Sequence, residues 1–434
     1  MLGLVSPVPE DGLSRRFSTW LLRPYLDLGP FRDGPLHVRA LEECWGAFVD
    51  PTKPRVLVQR ALPPAFRMQL SAEAGRNYAL SDPRHLPKEL WTDRWYKLCA
   101  AVDAWSKLSS EQQCRLAALL HSMCLYELML NLIPGVGFDA RRAGAHALEL
   151  AFWRDSAKFM RGLNIPTYNH ADADLSVFED IALNGQACAQ TQFNATAVIF
   201  VHKAKNRAAV GDLAAWGKRF ENALILAVAG MDSFTAELYT SRFHRGMGFL
   251  PQRRGDKDGV VRTMDLAEDH AHMMRPTTSV EELLFRENLH ALMESRTKEA
   301  LWLDDIDQAL LRSQKVVEVD PYDSKAWVEL GQVHHRRQEW PDAAQAYCVA
   351  SMLGPPASAV GRHMAGVCFR ELGQDLLASL FFRDTLEHDP LGISPREEIH
   401  RLPDIPVLQA LKEWSRSTDA PLSEEPLRGL PTGL

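Results

Sequence analysis

Three prolines, Pro321, Pro355 and Pro390, stand 34 and 35 residues apart, and apolar residues recur at helical spacing between them. A chain that repeats itself at this period is confined to few folds. One short unit cannot bury its apolar face alone, so successive units must stack. The clearest unit begins at Ser324. Counting Ser324 as position one, Trp327 is fourth, Leu330 seventh, Gly331 eighth, Ala343 twentieth, Tyr347 twenty-fourth, Ala350 twenty-seventh and Pro355 thirty-second. Small residues at eight, twenty and twenty-seven let two helices approach closely. Large residues at four, seven and twenty-four fill the space between them, and proline ends the second helix because it lacks the N–H the helix needs.

The same register extends to both sides. Aligned from Pro390, the next unit has Gly366, Phe369, Ala378 and Phe382, with Thr385 at twenty-seven and Arg362 at four. The unit ending at Pro321 keeps Ala300 and Ala309 but has Thr297 in the glycine slot. A more divergent hairpin spans Ser233–Met274, with Gly246, Phe249 and a turn at Gly255-Asp256. The pattern resembles the tetratricopeptide repeat, closely over 281–390 and loosely over 212–280. The resemblance implies an all-α fold, a right-handed solenoid of helical hairpins whose concave face takes a protein or peptide. Residues 1–211 resemble no family.

The rest of the chain has a different texture. Residues 1–85 are proline-rich, from Pro7 to Pro83, and should be loop-rich. Arg55–Arg60 and Phe66–Leu70 read as two short strands, enough for a β-hairpin, and His37–Val49 reads as an amphipathic helix. Residues 86–211 read as a helical domain. Trp91, Trp95, Leu98, Val102 and Trp105 share one face. Ser109 or Ser110 is an N-cap for a helix carrying Leu116 to Leu128, Asn131–Gly137 is a stop, and Arg141–Arg161 is a further helix. More helices follow near Leu175, Ala187 and Leu213. The repeat domain is expected over 212–395. A short helix and a disordered, proline-rich tail are expected over 396–434.

Composition narrows the function classes. The apolar share of 46% and the charged share of 24% suit a globular chain, and the net charge of −7 argues against a dedicated nucleic-acid binder. Seven cysteines, an odd number without a C-x-x-C, argue against a disulfide framework or a structural zinc site. No apolar run approaches the ~20 residues that span a bilayer. The start lacks a basic segment leading into an apolar core. The reading is a reducing, cytoplasmic protein.

Several clusters carry metal-type or titratable groups. His121, Cys124 and Glu127 lie along one helix, as do His146 and Glu149. Their neighbours Met123, Leu125 and Leu128 favour a packed helix over a ligand set. His170, Asp172 and Asp174 precede a helix and read as caps. Asp265, Glu268, Asp269, His270 and His272 read as a solvated helix surface. No nucleotide-binding, hydrolase or zinc-protease motif occurs, so neither cofactor nor metal is expected.

The stronger signal is a local reversal of charge. Arg242, Arg245, Arg253 and Arg254 form a basic patch in an acidic chain, with Lys203, Lys205 and Arg207 upstream. In tetratricopeptide arrays the first helix of each hairpin lines the groove. By that resemblance, the groove here is lined by Glu294, Lys298, Trp302, Lys325, Gln332, His335, Arg336, His363, Arg370 and Glu371. The asparagines by which chaperone-binding relatives hold a terminal carboxylate are absent. The implied function is a non-catalytic scaffold binding an acidic protein or peptide in a basic groove. An enzyme or accessory factor of peptide maturation, with the repeats gripping its substrate, is the alternative reading.

Overall fold

The structure, a computed structural model, describes residues 34–50, 93–133, 135, 139, 142–163, 173–353, 357–388 and 393–417. Every regular element among them is helical. The two strand-like stretches, Pro355, Pro390, His170, Asp172 and most of the expected tail lie outside the described residues.

The helices are α1 (Gly34–Val49), α2 (Asp93–Asp103), α3 (Ser110–Ser122), α4 (Tyr126–Leu132), α5 (Ala145–Leu163), α6 (Ser176–Leu183), α7 (Ala189–Lys205), α8 (Val210–Val228), α9 (Ser233–Met247), α10 (Phe249–Arg254), α11 (Lys257–Met273), α12 (Ser279–Trp302), α13 (Ile306–Val319), α14 (Ser324–Arg336), α15 (Trp340–Met352), α16 (Ser358–Glu371), α17 (Asp375–His388), α18 (Ile393–Arg401) and α19 (Pro406–Ser417). Sequential neighbours pack as hairpins: α7 on α8, α9 on α11, α12 on α13, α14 on α15 and α16 on α17.

The repeat register is visible in side-chain packing. A Cβ on Gly331 would lie 2.8 Å from the Tyr347 ring, and one on Gly366 would lie 2.6 Å from the Phe382 ring. Both pairs join position eight to position twenty-four, one unit apart. In the unit before them the slots hold Thr297 and Ser313, both buried. The glycine–aromatic pairing is there replaced by two residues of middle size. Each hydroxyl is satisfied within its own helix: Thr297 Oγ1 donates to the Met293 carbonyl at 2.9 Å, and Ser313 Oγ to the Leu310 carbonyl at 2.9 Å.

The turns repeat as well. Asp304, Gln338 and Gly373, again 34 and 35 residues apart, all have left-handed backbones with φ of 64°, 61° and 70°. After each, an N–H reaches back across the turn: Asp305 to Ala300, Glu339 to His334 and Gln374 to Phe369, at 2.9, 3.0 and 2.8 Å. This closure satisfies the last carbonyls of the first helix. Arg207, between α7 and α8, and Cys124, between α3 and α4, take the same conformation with the same closure. The expected helix from Ser110 to Leu128 is therefore two helices, broken at Cys124. The Ser109 cap is present as a full capping box with Gln112.

Packing is continuous from the N-terminal helices into the repeats. Phe193, Phe220, Tyr239 and Phe243 interlock α7, α8 and α9, with ring centroids 4.8 to 5.0 Å apart. The border expected at 211 falls in the first turn of α8, and the one at 395 falls inside α18. α1 joins two distant parts. Its Glu43 carboxylate accepts from the Ser279 and Val280 N–H groups at 3.0 and 2.9 Å, so it caps α12. Its Ala47 carbonyl accepts from Arg115 of α3 at 2.8 Å. No helix among the described residues is long and apolar enough to cross a membrane.

Candidate functional site: a charged inner wall

The first helix of each hairpin carries the residues expected to line the groove, and Lys298 and Lys325 do meet there. They do not meet alone. The Glu294 carboxylate accepts from both, at 2.6 Å each. Glu329 lies 3.2 Å from Lys298 and 3.7 Å from Lys325. Half of the Lys325 side chain is open to water, yet protein atoms lie close around it. Lys205, at the end of α7, is likewise exposed and still enclosed.

Charges on four helices act on one another around the Lys298–Lys325 pair. Lys205 comes from α7, Arg242 and Arg245 from α9, Glu294 and Lys298 from α12, and Lys325 and Glu329 from α14. Five cations face two carboxylates. Burial, then Lys325 and Lys298, push the Lys205 ammonium down to about 8. Burial, then Arg242, push Arg245 down to about 10. Burial and then the Glu294 charge push Glu329 up to about 7. Burial opposes ionisation of Glu294, but Lys325 and Lys298 outweigh it and hold that carboxyl well below its usual range. Burial also opposes the Lys325 ammonium, but Glu294 and Glu329 hold it above the usual lysine range.

Three of the five cations lack a carboxylate partner. Among the described residues no carboxylate lies within ion-pair distance of Lys205, Arg242 or Arg245. Arg245 Nε is buried with no acceptor, and its Nη1 has one long contact, 3.4 Å, to the Ala291 carbonyl. Arg242 and Arg245 belong to the basic patch expected apart from the groove, and Arg245 feels the charge of Glu294 on the groove-lining helix α12. Arg253 lies elsewhere, against the Ala208 carbonyl at 3.4 Å, and Arg254 is exposed. Sequence reading missed Glu329. It sits at position six, outside the slots that the resemblance marks, although its spacing of four from Lys325 signals a shared helix face.

The remaining expected residues lie farther along the array and differ in state. Arg336 is exposed. Arg370 pairs with Glu371 and Glu398. His335 packs edge-on to Trp340, centroids 4.9 Å apart, and burial keeps its pKa below the usual histidine range. Burial, with Arg370 adding to it, pushes His363 down to about 4. The His363 imidazole is therefore neutral at pH 7. Gln332 is half-buried.

The metal-type groupings separate. His121 is sandwiched between Tyr126 and Trp153, shares a hydrogen bond with Ser156 Oγ at 2.9 Å, and is pushed by burial to about 4. Glu127 instead pairs with Arg161. Asp174 accepts from the Ser176 N–H at 3.0 Å as a cap. At the α14–α15 turn, His334, Glu339 and Asp342 bring ligand-type atoms within 4.8 Å of one another. Arg337 already holds Glu339 there at 2.7 Å.

The architecture of 279–388 is thus an array of tetratricopeptide-like hairpins, with the same slots and the same turns in successive units. No family model matches the chain, and no curated protein matches it. Among solved structures, the chain is similar to YrrB, described as a TPR protein with an unusual peptide-binding site. Identity is 14%, the match covers 52% of this chain and 98% of that one, and the TM-score is 0.32. It is also similar to the APC/C hetero-tetramer Cut9–Hcn1, at 12% identity over 92% of this chain and 99% of that one, with a TM-score of 0.21.

Proposed function

We propose that this protein is a binding scaffold that holds an acidic segment of a protein or peptide on the inner wall of its hairpin array. The observation that carries the reading is the charge imbalance of that wall. Lys205, Arg242, Arg245, Lys298 and Lys325 face only Glu294 and Glu329, and the first three have no carboxylate of their own. Gathering like charges in a concave, partly dehydrated place opposes folding. An acidic ligand relieves that opposition and gains its own attraction where water screens least. The charge arrangement also favours encounter with acidic partners and disfavours basic ones. The cytoplasm suits such a scaffold, since all seven cysteines are free thiols.

Fluorescence anisotropy with labelled, degenerate peptide pools tests this on the full chain. An acidic pool should bind, and a basic pool of equal length should not. The difference should shrink as salt rises. Arg245→Glu should remove the preference. Equal affinity for both pools would place the function elsewhere.

A further inference from the structure

We propose that an acidic ligand displaces Glu329 from Lys298 and Lys325, and that Glu329 takes up a proton as it is released, so that binding on the inner wall is tied to pH. This rests on the acidic-ligand reading and adds its regulation. Lys298 and Lys325 both donate to one oxygen of Glu294, Oε1, at 2.6 Å each. Their ammonium groups therefore stand no farther apart than twice that distance. One oxygen of Glu329 bridges the same two groups more loosely, 3.2 Å from Lys298 and 3.7 Å from Lys325. Both lysines are about half open to water, whereas Glu329 is nearly enclosed.

Glu329 thus holds the place that a carboxylate from outside would seek. Each ammonium has three N–H donors. A ligand carboxylate arriving from the open side draws on them, and the looser contact of Glu329 yields before the two short bonds of Glu294. Glu329 then has no other cation. Its Oε2 is buried with no donor, and among the described residues its ion-pair contacts are these two lysines alone. Ionisable groups on the other helices packed against α14 are held elsewhere. On α13, Lys315 pairs with Glu318, Arg312 with Glu268 and Asp307 with Arg337. On α15, burial keeps Tyr347 and Cys348 protonated, and Asp342 lies with His334 and Glu339. On α16, Arg362 pairs with Asp384, Arg370 pairs with Glu371 and Glu398, and His363 is neutral. A carboxylate stripped of its cations in an enclosed place is costly, and a proton from water removes the charge. Burial and the Glu294 charge already push Glu329 up to about 7, so the uptake falls near neutral pH.

The test follows a labelled, degenerate acidic peptide pool on the full chain by anisotropy between about pH 6 and 8, where the carboxylates of the pool stay ionised. With one proton taken up per ligand, affinity should fall about tenfold across that range. In weak buffer near pH 8, an indicator dye should report proton uptake when the pool meets the parent protein, a readout that needs no variant. Glu329→Gln should match the parent near pH 6, bind about tenfold tighter near pH 8, and lose most of the pH dependence. Thermal unfolding checks that this variant is folded. Lys205 is the other group of the wall that titrates here, since burial, then Lys325 and Lys298, lower it to about 8. Lys205→Gln should therefore keep most of the tenfold fall. No proton uptake by the parent, or a Glu329→Gln profile that follows the parent's, overturns the exchange and leaves the acidic groove standing. Loss of the pH dependence in Lys205→Gln alone also overturns it, because Lys205 is then the titrating group. An acidic pool that binds at neither pH removes the groove reading, and the exchange with it.

Discussion

Two charged clusters in this molecule make opposite use of arginine. Around Arg296 two guanidiniums meet three carboxylates. Arg296 reaches Asp265 at 2.6 Å, Glu268 at 3.0 Å and Glu299 at 2.8 Å, while Arg312 reaches the other Glu268 oxygen at 2.9 Å. On the inner wall, Arg242 and Arg245 have no carboxylate within ion-pair distance among the described residues. The first cluster binds α11, α12 and α13 together. Arg296 stands at position seven, the slot that Leu330 fills in the next unit, so a buried charge replaces an apolar plug and must be matched from inside. The second cluster has no such set of carboxylate partners among the described residues. The saturated network is a structural joint between three helices.

The largest break in that comparison is Arg296→Ala. It strips the partner from Glu299, which is buried, and from half of Glu268. Removing one member of a buried ion network typically destabilises by about 3–5 kcal/mol. Urea unfolding should show a loss in that range. A loss below about 1 kcal/mol would mean that the network is no more than surface charge.

Gly331→Leu comes next and tests the frame on which both clusters are mounted. The new side chain would enter the space held by the Tyr347 ring, and overpacking of this kind costs about 1–3 kcal/mol. Thermal unfolding equal to the parent would show that the glycine–aromatic contact does not fix the register.

These two substitutions also mark what was legible in the sequence. The packing slots were readable because they depend on size at fixed spacing, and Gly331, Gly366, Tyr347 and Phe382 keep to it. The left-handed turn residues were readable only at Gly373. Asp304, a residue type that tolerates this region, is a weaker cue, and Gln338 adopts the same φ with a side chain that does not advertise it, because the hairpin around it outweighs local preference. The inner wall was half readable. The slots implied by the family resemblance placed Lys298 and Lys325, but neighbours such as Glu329 and Lys205 come from other slots and other helices. Whether a cation is answered is a tertiary fact. His335 and His363 read as groove lining in the sequence, and burial lowers the pKa of both.

A smaller effect separates the two carboxylates of the wall by pH. Glu329 has a folded pKa of about 7 against an ordinary 4.5, so the folded state holds its proton more tightly. Between those values the folded state binds more protons than the unfolded one, and stability falls as pH rises. Glu294 acts in the other direction and in another window, since its depressed pKa makes stability fall only as pH drops below about 4.5. Glu329→Gln should therefore gain on the parent as pH rises from about 4.5 to 7, by on the order of 1 kcal/mol. Urea midpoints across that range give the comparison. A constant offset between variant and parent would show that Glu329 is ionised throughout.

The smallest effect expected is the most telling for the wall. If Arg242 and Arg245 served the fold as Arg296 does, replacing both by Gln would leave buried carboxylates stranded and the protein would suffer. Among the described residues no carboxylate pairs with them, so none of those is stranded. The substitution removes two like charges that oppose each other, along with an Nε that has no acceptor inside the chain. What is lost is the contact of the side-chain stems and one long bond to the Ala291 carbonyl. These opposing contributions should bring the double variant within about 0.5 kcal/mol of the parent. Urea unfolding of the unliganded protein, beside Arg296→Ala under the same conditions, measures the contrast. A loss above about 2 kcal/mol would mean that the inner-wall guanidiniums are structural after all. The absence of partners would then no longer separate a joint from a binding surface.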